Sequence, residues 1–178
     1  MLEYGKIKRC TISHTDAPII LPYIDSVDNI NYIRNKRQLH SGIDISCNVI
    51  YAPCNCVILS TNKVDTFDAI ILQYSASICL RFTHLKSAVV QPGNLILADT
   101  KLGVADSYVH VEYLDTSVGT IPDWVVRIGP LQLYKHNPIS MLDGTFVYDN
   151  EVQLQNDYDY NKYFTQTYPP GYYEGPRF

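Results

Sequence analysis

A mainly β domain on an antiparallel sheet, followed by an extended C-terminal arm, is what three features of this 178-residue chain predict. Short runs rich in Val, Ile, Leu and Tyr recur about every ten residues between positions 43 and 115, separated by Asn, Asp, Ser or Pro-Gly. No segment carries the 3.6-residue apolar repeat of an amphipathic helix over about twelve residues. The last 31 residues hold seven of the fifteen tyrosines and almost no aliphatic side chains.

Residues 1–37, with two prolines and many Asn and Asp, read as lead-in strands and loops. Residues 38–136 form the β domain. Its segments are "CNVIYAP", "CNCVILSTN", "DAIILQYS", "SICLRFTHL", "NLILAD" and "SYVHVEYL". In the last of these Tyr108, His110 and Glu112 alternate with Val109, Val111 and Tyr113, which puts one set on each face of a strand. "TIPDWVVRIGPLQLYKHNP" adds one or two further β segments ending near His136. Residues 137–178 cannot build a core of their own. Tyrosine combines a large rigid surface with a polar tip, so this stretch reads as a docking arm for a partner protein.

Composition narrows the function classes. Apolar residues make up 46% and charged residues 18%, which suits one domain with its own core. The net charge is −4 and only "IRNKRQ" clusters basic residues, so no nucleic-acid partner is expected. The start "MLEYGKIKRCTISHTD" carries charges where a secretory leader needs an apolar stretch. No run is long enough to cross a bilayer. Synthesis and folding in a cytoplasm, with neither signal peptide nor membrane span, is the expectation. The five cysteines have no disulfide-framework spacing, and those in strand-like runs read as small hydrophobes. "CNC" at 54–56 places two thiols on one strand face, but without a second Cys or His pair nearby it reads as packing.

Histidines punctuate the β region in a definite order. "HSGID" (40–44) comes first, then "NVIYAPCNCVIL" (48–59), "RFTHL" (81–85), "VVQPGNLI" (89–96) and "YVH" (108–110). In order and spacing these parts resemble the M23 zinc metallopeptidases of the lysostaphin and LytM type. Those carry H-x-x-x-D, a Y-A-P hairpin, an H-L strand, a V-x-x-G turn and a final H-x-H. The resemblance covers about residues 38–115 and implies the antiparallel β-sheet of those peptidases. It makes His40, Asp44 and His110 ligands of Zn2+, and His84 a catalytic histidine beside them. The chemistry is coherent on its own terms. Two imidazoles and a carboxylate leave a fourth position open, where zinc acidifies water to a pKa of about 7 and polarises a carbonyl. His40 and Asp44 need the chain to bend at Gly42 to converge, and glycine allows that.

Three departures accompany the match. The first histidine of H-x-H is Tyr108. A phenol with pKa near 10 donates a hydrogen bond at neutral pH, where an imidazole near 6.5 also accepts a proton. General acid–base groups contribute typically 10²–10⁴-fold, so hydrolysis is expected to fall by about that factor unless His84 covers the role, with Tyr108 still able to help as an oxyanion donor. The segment "KLGVADSYVH" reads as a short loop before the motif, and "CNC" stands where the hairpin has glycine.

The expected function is a zinc-dependent endopeptidase acting on peptidoglycan cross-links, carried on a bacteriophage tail and so needing no signal peptide. The alternative is a catalytically impaired structural module of the tail assembly, held to other virion proteins through residues 137–178. Either reading places the protein in the virion.

Overall fold

Fifteen consecutive residues of strand, Lys101–Asp115, organise the rest of the molecule. The computed structural model describes residues 7–8, 10–15, 19–25, 39–73, 77–138 and 142–143. In chain order these form β1 (Ile7–Lys8), the one-turn helix α1 (Cys10–Ser13), β2 (Ile19–Leu21), β3 (Ile43–Ser46) and β4 (Val49–Tyr51). There follow β5 (Cys56–Val64), β6 (Phe67–Gln73), β7 (Ile78–Ala88) and β8 (Leu95–Ile96). β9 (Lys101–Asp115), β10 (Val125–Ile128), β11 (Leu131–His136) and β12 (Leu142–Asp143) complete the set. The arm assigned to residues 137–178 lies almost wholly outside the described residues.

The fold class expected from the sequence is the one observed. Ten strands form a single sheet in the order β10-β11-β9-β7-β6-β5-β8, and β3 and β4 also pair with β9, while β2 pairs with β3. All pairings within that sheet are antiparallel. β1 and β12 make a separate parallel pair. β7 runs along one edge of β9, and the other edge serves β4, β3 and β11 in turn. Residues 101–107, read as a loop in the sequence, are instead the first half of this long strand. Leu102 and Ala105 are buried there, and a side chain at Gly103 would meet the Ser87 carbonyl 2.7 Å away, so the close approach of β7 demands glycine.

Period-2 alternation sorts the side chains of β9. Val109 and Val111 join the larger apolar cluster with Ile43, Ile45, Leu80 and Phe82. Leu114 belongs to a smaller cluster on the other face, with Ile71, Cys79 and Leu133. His110 and Glu112 share that second face. The lead-in is not a bystander: Ile12, Ile19, Tyr23 and Ile24 are buried in the larger cluster, and β2 extends the sheet beside β3.

Candidate metal centre

Register brings the three expected ligands together. Antiparallel pairing of β3 with β9 sets Asp44 directly opposite His110, and directly opposed residues share a face. His40 precedes β3 and is held by paired backbone hydrogen bonds to Ile24. Gly42 lies between. Its backbone is not in the left-handed region, so the bend expected there is not what requires glycine. Space requires it: a Cβ would sit 2.3 Å from the Val111 carbonyl oxygen and 2.9 Å from His110 Cε1.

The outer hydrogen bonds dictate which atoms face inward. His40 Nδ1 lies 2.7 Å from the Pro22 carbonyl, which can only accept, so the ring donates there and turns its Nε2 lone pair toward Asp44. His110 Nε2 donates to Glu112 Oε1 at 3.1 Å, leaving Nδ1 toward Asp44. Asp44 Oδ1 is 3.2 Å from His40 Nε2 and 2.8 Å from His110 Nδ1. Three acceptor atoms, all within 4.8 Å of one another, thus converge in a buried place. Such an arrangement repels itself unless a cation sits in it. Bonds of about 2.0–2.1 Å at tetrahedral angles put ligand atoms about 3.3 Å apart. The two separations from Asp44, 3.2 and 2.8 Å, are close to that, so small side-chain shifts would let these donors take a divalent metal. Among the described residues this is the one group of three side chains able to hold a metal.

Without metal, a proton must fill the same role. Burial alone would push His110 down, but hydrogen bonds to Asp44 and Glu112 outweigh it and raise the ring to about 9. Burial alone would raise Asp44, yet the His40 and His110 rings bring its carboxyl well below the usual range. The added His110 proton stabilises the metal-free fold fully below pH 6.5, and that contribution fades as pH climbs through about 9. Asp44 contributes with the opposite sign, losing its contribution in acid. Thermal melts in chelator are therefore expected to show stability falling between about pH 6.5 and 9. Saturating metal, which replaces that proton, is expected to flatten the decline. A metal-free melting temperature constant over this range would contradict the assignment.

The two expected catalytic side chains also meet. Tyr108 Oη and His84 Nδ1 are 3.3 Å apart, and the His84 ring centroid is 6.3 Å from that of His110. His84 has φ +62° at an irregularity between Thr83 and Leu85 in β7. Left-handed backbone costs a non-glycine residue about 1–2 kcal/mol, so the position is held by its surroundings.

Sequence reasoning missed the layer behind the candidate metal ligands. Ser41 Oγ lies 3.1 Å from Glu112 Oε1 and Lys135 Nζ 3.0 Å from it, while Arg81 Nη1 is 3.3 Å from Glu112 Oε2. Burial would raise the Glu112 carboxyl, but Lys135, the His110 hydrogen bond and Arg81 hold it well below the usual range. A charged residue two positions from His110, flanked by Val111 and Tyr113, was the available signal. Among the described residues Cys47, Cys54, Cys56 and Cys79 are free cysteines, and Cys56 and Cys79 are buried. Burial pushes Cys54 to about 11 and both Cys56 and Cys79 to about 12, so all three stay thiols at neutral pH.

In sequence, no protein-family profile and no curated protein matches the chain. In three dimensions several solved structures do. A chain of the SpoIIQ–SpoIIIAH pore-forming complex superposes with a TM-score of 0.59 at 9% identity, covering 79% of this chain and 93% of that one. The catalytic domain of the prophage-encoded M23 protein EnpA from Enterococcus faecalis gives 0.51 at 13% identity, over 73% of this chain and 96% of that one. Lysostaphin in solution gives 0.53 at 13% identity, over 84% of this chain and 61% of that longer one. The chain has the antiparallel β fold of the M23, lysostaphin-type peptidase domains.

Proposed function

We propose that the protein is a zinc-dependent endopeptidase of the M23 type, acting on peptide cross-links of peptidoglycan and carried to the cell wall on a bacteriophage tail. The observation that carries this reading is the convergence of His40 Nε2, Asp44 Oδ1 and His110 Nδ1, three acceptors that need a cation. Zinc bound there would supply a Lewis acid for the scissile carbonyl and acidify water. The remaining work falls to side chains. With the Tyr108 hydroxyl donating across the 3.3 Å to His84 Nδ1, His84 would keep a proton on Nε2 for the oxygen that gains charge during peptide cleavage. The phage setting follows from the sequence expectation, and the likeness to a prophage-encoded M23 catalytic domain is one of fold.

One observation favours a second reading, a structural module of the tail assembly that binds metal but turns over poorly. Tyr108 stands where the M23 pattern has a histidine, and a phenol near pKa 10 is a poor base at neutral pH. The likeness to a chain of a pore-forming complex agrees with an assembly role, as does the tyrosine content of residues 137–178 as a surface for neighbouring virion proteins.

A cell-wall clearing assay with purified protein, with and without chelator, separates the two. The enzyme reading expects clearing that chelator abolishes and zinc restores. It further expects Tyr108→His to raise the rate by about 10²-fold or more, the contribution of one general acid–base group. Zinc uptake with an untouched wall, in wild type and Tyr108→His alike, would leave the structural module.

A further inference from the structure

Glu112 and Lys135 are wholly buried, and Arg81 is 5% exposed. Burying one carboxylate among two cations is a poor route to stability, because packed apolar side chains of similar volume serve as well or better. The arrangement calls for another reason. Glu112 Oε1 lies 3.1 Å from His110 Nε2 and 3.1 Å from Ser41 Oγ, while Oε2 faces Arg81 Nη1 at 3.3 Å. Lys135 Nζ approaches Oε1 to 3.0 Å. Register explains the grouping, since Arg81 pairs directly across from Glu112, as Thr83 does from His110.

We infer that Glu112, steadied by Arg81, Lys135 and Ser41, is the positioning residue that holds the His110 proton on Nε2 and so presents Nδ1 to the metal. An imidazole with nothing on its far side takes either tautomer and rotates about its ring bond. A buried carboxylate fixed from four directions removes both freedoms. Arg81 and Lys135 outnumber Glu112 by one positive charge, which keeps the carboxylate an acceptor rather than a competing donor. Outer partners of this kind typically govern metal affinity by about 10–100-fold. The inference rests on the metal reading above and adds that affinity, and not only the fold, depends on the buried cluster.

The test uses zinc alone, titrated into the full chain against a chromophoric chelator. Glu112→Leu by itself leaves two buried cations without a counter-charge, so it is paired with Lys135→Met, which preserves the cluster's net charge. The pair is expected to lower zinc affinity about 10–100-fold. Glu112→Gln with Lys135→Met, which returns an acceptor to Nε2, is expected to recover part of the loss. In zinc-loaded wild type, long-range proton–nitrogen NMR of labelled histidine should place the His110 proton on Nε2, whatever the variants do. Zinc binding by the Leu/Met variant as tight as wild type, or a His110 proton on Nδ1, would overturn the inference and leave the metal site standing. A wild type that takes up no zinc would overturn both.

Discussion

Replacing Gly42 by alanine is expected to cost about 3 kcal/mol or more, the upper range for overpacking a core, and to remove metal binding with it. The new methyl group would lie 2.3 Å from a backbone oxygen of β9 and 3.0 Å from His110 Nε2. A backbone oxygen cannot swing aside as a long side chain can, so β3 itself must move away from β9. That movement breaks the pairing of Asp44 with His110 and pushes the His110 ring off its bond to Glu112. Chemical denaturation and zinc titration of the same variant should therefore fail together. An alanine variant with wild-type stability and wild-type zinc affinity would show that β3 and β9 are not packed this closely.

Asp44→Asn is expected to separate what Gly42→Ala joins. The amide matches the carboxylate in shape but carries no charge and is a poor zinc ligand. Its NH2 group can donate to the lone pair on His40 Nε2, 3.2 Å from the present oxygen, or to that on His110 Nδ1. The metal-free variant should thus melt within a few degrees of chelated wild type, since its new donor replaces the proton that Asp44 and His110 share. Zinc affinity, in contrast, should fall by more than the about 10–100-fold that loss of an outer partner brings. Equilibrium dialysis checks the first-order effect and a melt in chelator checks the second. Unchanged zinc affinity in this variant would remove Asp44 from the ligand set.

Much of this was legible in the sequence because the relevant physics is local. Alternation in "SYVHVEYL" fixed the faces of β9, and turn residues spaced the strands. H-x-x-x-D and Y-x-H proposed His40, Asp44 and His110 as ligands, and their atoms do converge. What escaped depends on register between distant strands, which no local pattern encodes. No local pattern marks Arg81 and Lys135 as neighbours of Glu112, and only the pairing of β7 and β11 with β9 sets them beside it. Ser41 is wholly buried and bonded to Glu112, a role that nothing in its local sequence marks. Gly42 was singled out correctly for the wrong reason, as a bend instead of a close approach. "KLGVAD" lacks the strong β-branched content of a strand, and only its pairing with β4 and β7 makes it one. The left-handed backbone at His84 left no trace in the sequence, since histidine there is tolerated, not required.

The metal itself can be located directly. Crystals of the full chain grown with zinc and measured on both sides of the zinc absorption edge should give one strong anomalous peak per chain. It should lie about 2.0–2.2 Å from His40 Nε2, Asp44 and His110 Nδ1. A map without that peak, or with zinc bound elsewhere and these three side chains still hydrogen-bonded to one another, would contradict the account.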